Sequence, residues 1–167
     1  IDLLMIDVEG AEREVLAGGG AAYQAAIEEW HLLSAASQIG TATRAIHDAA
    51  AWSCEREQFG RPIAAFQAIQ FKLADMSTRL EAARLLVRKA AWLRDNGQVC
   101  TQAAAQAKLF ASVISNFCAD ECLQIHGGAG YTDDFHVERL FRDARITEIY
   151  EGATDIQRIV ISRNLLS

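Results

Sequence analysis

The residues Phe66, Ile69, Leu73, Met76, Leu80, Ala83, Val87 and Ala90 recur at alternating steps of three and four, with no Gly or Pro between them. That period draws one stripe along an α-helix and is incompatible with a half-buried strand, whose side chains change face at every residue. The same rhythm appears in Leu32, Ala35, Ile39, Ala42, Ile46, Ala49 and Ser53, and again in Ala104, Ala107, Ala111, Ile114, Cys118, Cys122 and Ile125. Three long helices are therefore expected, over about 21–57, 66–95 and 101–125. Gly60-Arg61-Pro62 breaks the first from the second, because Pro cannot donate its backbone hydrogen bond. Asn96-Gly97 stops the second and Gly127-Gly128 the third.

Beyond Gly130-Tyr131, Asp133 or Asp134 can cap a short helix through Val137, Leu140 and Phe141 to about Ala144. A last helix starts at Thr154 or Asp155, with Thr154 and Gln157 at capping-box spacing, and carries Ile156, Ile159, Val160, Arg163 and Leu166. Short connections between long helices make an all-α fold the expectation: an antiparallel four-helix-type bundle with short helices at its C-terminal end. Alanines on the stripes let helix axes approach closely. The stripes are wider than one bundle core needs, so part of this surface is expected to bury against another subunit or domain.

A net charge of −6 argues against a general nucleic-acid role. No apolar run is long enough to span a bilayer, and no signal peptide with a basic start is visible. Cys54, Cys100, Cys118 and Cys122 show neither CxxC pairing nor a His at metal-ligand offset, and so read as buried thiols of an intracellular protein. The expected location is the cytoplasm of a bacterial cell, or the mitochondrial matrix of a eukaryotic one. No Ser-His-Asp or Cys-His set is legible, which argues against a hydrolase. His31, His47 and His136 read as ordinary surface or core residues, and His126 draws interest only from its neighbours.

Residues 1–21 differ in style from the rest and read as a remnant or linker ahead of a bundle domain over 22–167. Leu3-Leu4-Met5-Ile6-Asp7-Val8 is apolar and β-prone, and Gly18-Gly19-Gly20 reads as a linker. The segment 1–18 resembles the I-D-V-E-G-A-E stretch of the FkbM family of S-adenosylmethionine-dependent methyltransferases. That family's glycine-rich cofactor loop and the βαβ units before it are absent from this chain. The sequence opens at Ile1 without an initiator Met, so it is expected to be a piece of a longer protein.

Three stretches can carry chemistry. Arg56-Glu57-Gln58-Phe59-Gly60-Arg61-Pro62 sets a cationic fork beside a backbone-exposing Gly, which suits a pyrophosphate; the same Arg could simply complement the helix dipole. Gln124-Ile125-His126-Gly127-Gly128-Ala129-Gly130-Tyr131 is Gly-rich after a helix, the reverse of a phosphate-binding P-loop. It is either a place where backbone approaches a ligand or a plain helix stop. In Tyr150-Glu151-Gly152-Ala153-Thr154-Asp155 a carboxylate stands at a fixed break between helices, where it serves either chemistry or the macrodipole.

Taken together with Phe66-Gln67-Ala68-Ile69-Gln70, Leu73-Ala74-Asp75-Met76 and Arg142-Asp143-Ala144-Arg145, these stretches resemble the C-terminal helical domain of the acyl-CoA dehydrogenase family, over roughly 22–167. The resemblance is greatest to short-chain and bacterial members with R-D-A-R-I-T-E-I-Y-E-G. It implies an FAD-dependent flavoprotein of fatty-acid β-oxidation that converts an acyl-CoA thioester to the trans-2-enoyl-CoA. A carboxylate takes the α-proton, the β-hydrogen leaves as hydride to the flavin N5, and electrons pass to an electron-transfer flavoprotein. By match to the motif, Glu151 is that base. Arg56, Gln58, Phe59, Phe66 and Gln67 would reach a flavin held by the adjacent subunit, and Gln124, Gly127 and Gly128 its adenosine part. Ala153, Thr154 and Asp155 would line the flavin of their own subunit, Tyr150 and Gly152 the substrate, and Arg163 the approach of the CoA. Shared sites imply a homo-oligomer, a dimer or more usually a tetramer.

Three departures from the family's pattern stand out. Ala153 follows the Glu-Gly pair where the family often has Thr, which leaves open whether Thr154 replaces that hydroxyl. Glu28-Glu29-Trp30-His31 occupies the place where many members carry an Arg that helps the substrate nucleotide. The N-terminal helical and middle β-domains that grip the isoalloxazine and close the acyl pocket are not in this chain, so the chain alone is expected to be inactive and to bind flavin weakly or not at all. The alternative is a helical assembly module, or a subunit of a heteromeric dehydrogenase without catalysis of its own.

Overall fold

The computed structural model describes residues 12–166, and the β-prone run Leu3–Val8 lies outside them. Helix α1 is Glu12–Glu55, broken at Gly20, where φ is 49° and ψ −133°. Helix α2 spans Gln67–Asp95, α3 Thr101–His126, α4 Val137–Ile146 and α5 Thr154–Leu166. Each of the five expected helices is present, and the fold is all-α.

The long helices alternate in direction. Trp52 near the end of α1 stacks on His126 at the end of α3, with ring centroids 5.0 Å apart, while Glu28 on α1 accepts a hydrogen bond from Cys100 at the start of α3 (3.0 Å). So α1 and α3 run parallel, and α2 runs against both: Lys72 pairs with Glu121 at one end, and Arg94 with Glu29 (2.7 Å) at the other. Met76, Leu80 and Ala83 meet Ala42, Ala45, Ala49, Ile114, Cys118 and Cys122 in the main core. Ala35, Ala90, Ala103, Ala107 and Ala111 form a second cluster nearer the other end. Helix α3 is the central post. Because so many of its residues are Ala, Ser or Cys, α1, α2, α4 and α5 can all close on it at short range.

Local details correct the sequence reading in four places. Gly60-Arg61-Pro62 does not make a plain break but half of a hairpin, β1 Glu57–Gln58 paired antiparallel with β2 Arg61–Pro62. Its two loop residues, Phe59 and Gly60, both have positive φ (54° and 77°), as the type I′ turn of a two-residue hairpin demands. Neither Asp133 nor Asp134 caps α4; the N-cap is His136 without a side-chain bond, and Asp134 accepts from Thr132 Oγ1 (3.3 Å). Thr154 and Gln157 make no capping box, because the Thr154 hydroxyl donates back to the Glu148 carbonyl (3.1 Å) and Gln157 turns into the core. Of the cysteines, Cys54 is exposed; burial pushes the Cys100 thiol up to about 11, and Cys118 and Cys122 up to about 12, so these three are inert as nucleophiles at neutral pH.

Close packing around α3 is directly testable. Ala107→Leu forces a larger side chain into a fully buried position and should cost about 1–3 kcal/mol. In a thermal melt followed by circular dichroism the midpoint should fall by about 2–4 °C per kcal/mol. Ala82→Leu, on the exposed face of α2, should leave it nearly unchanged.

Candidate functional site

An alanine-rich helix that must accept neighbours on every side has little room for charge, yet Lys108 sits on the buried stripe of α3, four residues after Ala104 and three before Ala111, fully buried. A buried ammonium must find acceptors for its three N–H groups. Lys108 Nζ donates to the carbonyls of Thr147 (2.8 Å), Tyr150 (3.1 Å) and Gly152 (2.8 Å). Burial pushes its pKa down to about 8, against the pull of the Glu151 and Glu148 carboxylates.

Those three carbonyls belong to the turn between α4 and α5. The path into it is guided by α3 as well: Asn116 Nδ2 donates to the Ala144 carbonyl (2.9 Å) at the end of α4, and Thr147 Oγ1 to the same carbonyl (2.6 Å). Within the turn Glu151 has φ 52° and Gly152 φ 82°. A left-handed Glu costs on the order of 1 kcal/mol and persists only where its surroundings over-determine it. Gly152 is required for space too: a Cβ there would collide with Gln157 Nε2 and approach His31 Nε2 at 3.0 Å.

Gln157, fully buried on α5, donates to the Gly152 carbonyl (3.1 Å), and its Nε2 lies 3.1 Å from His31 Nε2 on α1. Burial, then the nearby Lys108 ammonium, push the His31 imidazole down to about 4. A neutral ring accepting at Nε2 satisfies this contact. The backbone of the Glu151 turn is therefore held from beneath by α1, α3 and α5, while the Glu151 side chain itself is exposed. Around it, Tyr150 is partly exposed, Ala153 and Thr154 half-buried, and Asp155 exposed and paired with Arg158 (2.6 Å). Arg163 lies exposed on α5.

The remaining candidates gather elsewhere. Arg56, Gln58 and Phe59 are exposed on or beside the hairpin, where Phe59 is 91% exposed and meets Phe66 edge-on at 6.1 Å, with the Arg61 guanidinium 4.3 Å over the Phe66 ring. Gln67 is exposed at the start of α2. Gln124, Gly127 and Gly128 are exposed at the end of α3, on the end of the bundle that the Trp52–His126 stack joins to the hairpin. At about 1.5 Å rise per residue, Lys108 and His126 are roughly 27 Å apart along α3. One chain thus carries two separate sets, Glu151 with its supports and the Arg56–Gln124 set. Phe59 and Glu151, one in each, are the two non-glycine residues with positive φ among those described.

Lys108, His31 and Gln157 are the residues that sequence reasoning missed. Lys108 had a visible signal, a lone cation in phase with an alanine stripe. His31 and Gln157 had none, since their partners lie on other helices. Among the described residues no cluster of three or more His, Cys, Asp or Glu could hold a metal, and no helix is long and apolar enough to cross a membrane.

A bundle of this build, with a Glu-Gly turn set against its central helix, defines a class, and the chain's relatives agree on which. Residues 18–166 match the family model of the acyl-CoA dehydrogenase C-terminal domain. An acyl-CoA dehydrogenase of Bacillus subtilis (strain 168) is 52% identical over 132 residues, 79% of this chain and 35% of that protein. The caffeyl-CoA reductase-Etf complex subunit CarC of Acetobacterium woodii is 44% identical over 168 residues, 99% of this chain and 44% of its own, so that alignment takes in nearly all of the segment before Gly20 too. The solved structure of butyryl-CoA dehydrogenase from Megasphaera elsdenii superposes with a TM-score of 0.87 at 42% identity, over 89% of this chain and 39% of that one. The chain belongs to the acyl-CoA dehydrogenase C-terminal domain family, and spans between a third and a half of the length of these relatives.

The neutral state of His31 has a measurable consequence. Its folded pKa lies below its unfolded value of 6.5, so the unfolded chain binds the extra proton and stability falls as pH drops. The contribution is fully present above about pH 6.5 and lost toward pH 4, at a cost on the order of 3 kcal/mol. Urea denaturation at pH 7 and pH 4.5 should show a larger loss for the wild type than for His31→Gln, whose amide does not titrate.

Proposed function

We propose that this chain supplies the proton-transfer half of an FAD-dependent oxidoreductase acting on acyl-CoA thioesters, with Glu151 as the base that removes the α-proton. The observation that carries this reading is the Glu151 turn itself, a carboxylate on left-handed backbone whose flanking carbonyls are pinned by Lys108. A general base works only when held within hydrogen-bond reach of the proton it takes, and such holding is what the turn provides. The backbone N–H of Glu151 is suited to polarise the thioester carbonyl and so acidify the α-carbon. Tyr150 and Gly152 would border the acyl group, and Arg163 the CoA phosphates.

The residues present fit a flavin dinucleotide. Arg56, Gln58, Phe59 and Gln67 are exposed and Phe66 half-buried on one aromatic and cationic edge, which suits a planar, anionic ligand, and Gln124 offers an amide and Gly127 and Gly128 backbone without side-chain bulk at the same end of the bundle. When bound, FAD supplies the hydride acceptor. Ala153, Thr154 and Asp155 flank Glu151 and would face it. Thr154's hydroxyl is already committed to the Glu148 carbonyl, so it is a weak substitute for a hydroxyl at position 153. The separation of the two residue sets, roughly 27 Å along α3, supports sites completed between subunits of a homodimer or homotetramer. Phe71, Leu85 and Trp92, spaced by multiples of seven on α2 and each more than half exposed, form an apolar line available to such an interface. An electron-transfer flavoprotein is the natural partner for the electrons. A protein limited to these residues carries the base without an acyl pocket, and we expect it to be inactive.

The likeness to CarC favours a second direction for the same site. In reduction of an enoyl thioester, Glu151 would return the proton to the α-carbon by microscopic reversibility.

The test is the flavin spectrum of the FAD-loaded protein carrying this domain, mixed anaerobically with acyl-CoAs of graded length. Bleaching is expected, and Glu151→Gln should retain the yellow colour while slowing bleaching about 10²–10⁴-fold. Reduction at the wild-type rate by Glu151→Gln, or no flavin bound at saturating FAD, sinks the reading; the latter favours an assembly module.

A further inference from the structure

We propose that Lys108 is a positioning residue for the Glu151 turn: its ammonium gathers the carbonyls of Thr147, Tyr150 and Gly152 and thereby sets where the Glu151 carboxylate is presented. The role in chemistry rests on the reading of Glu151 as the base; the mechanical role does not. Three donors on one nitrogen meet three acceptors spread over six residues of chain, and two of those acceptors, the Tyr150 and Gly152 carbonyls, belong to the residues on either side of Glu151. A single point thus pins both sides of the one Glu whose backbone is left-handed. The titratable groups whose charge is felt at the ammonium are the Glu151 and Glu148 carboxylates of the turn, the latter paired with Arg145, and His31 from α1. With His31 neutral, Lys108 is the positive charge beneath a turn that bears two carboxylates. Its own base, α3, is the most enclosed helix of the bundle, so the position of Nζ is inherited from the core rather than from the loop.

An apolar side chain of similar length such as Met cannot take over this part, since it has no N–H to offer the three carbonyls, and a neutral amide has only two. Arginine keeps the charge, but its planar fork is a poor match to three acceptors converging on one point. The site differs from a surface ion pair in that it acts on backbone, and so on the direction of Glu151 rather than on its charge alone.

Two measurements test this. On the 167-residue chain, amide exchange by NMR should show Ile149, Tyr150 and Thr154 exchanging at least about tenfold faster in Lys108→Met, with the α1, α2 and α3 amides keeping their relative protection. On the FAD-loaded protein, Lys108→Met should lower the rate of anaerobic flavin reduction by about 100-fold with KM little changed, as expected for a reacting group displaced by about 1 Å. Lys108→Arg should recover part of that loss. Met76→Ala, which opens a cavity in the core far from the turn, serves as the stability control and should leave the rate per folded molecule unchanged. Turn amides that exchange at the wild-type rate in Lys108→Met overturn the proposal, as does a rate loss that Met76→Ala reproduces. If Glu151→Gln leaves reduction unchanged while Lys108→Met still loosens the turn, the base assignment fails and the mechanical role stands.

Discussion

The cost of burying one ammonium organises this domain. Lys108 lies in the interior of a helix lined with alanines, where an unpaired charge would be intolerable, and the acceptors it recruits are three carbonyls of the turn between α4 and α5. The requirement works in both directions: the turn gives the charge its partners, and the charge gives the turn its shape. Helix α4 runs back along α3 so that Thr147 reaches Lys108, and α5 leaves at an angle that buries Gln157 against Gly152 and His31. Once that arrangement is in place Glu151 has little freedom of backbone left, while its carboxylate faces outward.

The two left-handed non-glycine residues make the same point from both ends of the bundle. Phe59 is turned outward by a two-residue hairpin and Glu151 by the Lys108 anchor, and each is followed by a glycine with positive φ. Backbone strain of this kind is retained where the direction of a side chain matters more than the stability of the loop. That the two lie far apart along α3 suits a domain whose sites, as we propose, are completed by another subunit. It also makes the bundle a spacer, with α3 setting the separation.

Much of the fold is legible in the order of residues alone. The three-and-four spacing of Phe66 through Ala90 and of Ala104 through Ile125 locates α2 and α3 nearly to the residue, because burial of one face is a local, periodic demand, whereas α1 starts at Glu12, ahead of the expected residue 21, and runs through the glycines read as a linker with a break at Gly20. Asn96-Gly97 ends α2 as expected, with Gln98 N–H returning to the Leu93 carbonyl (2.9 Å) and Gly97 N–H to that of Arg94 (2.9 Å). Capping is less legible. Asp133, Asp134 and the Thr154–Gln157 pair all have the right spacing for capping bonds, yet carbonyls of the preceding turn claim Thr154 and Gln157 instead, and Asp134 meets Thr132. The hairpin is hidden because its strands are two residues each, too short to show alternation.

By itself, then, the sequence determined the helices, the breaks between them and, through motifs quoted in order, the family to which the chain belongs. Those are properties of neighbouring residues, and local spacing carries them. Only the tertiary structure decided that His31, Lys108 and Gln157, from three helices and up to 126 positions apart, meet beneath Gly152. It decided too that a histidine expected to be ordinary is a buried neutral one. A contact between distant helices depends on how their axes cross, and no periodicity within one helix encodes the address of its partner on another.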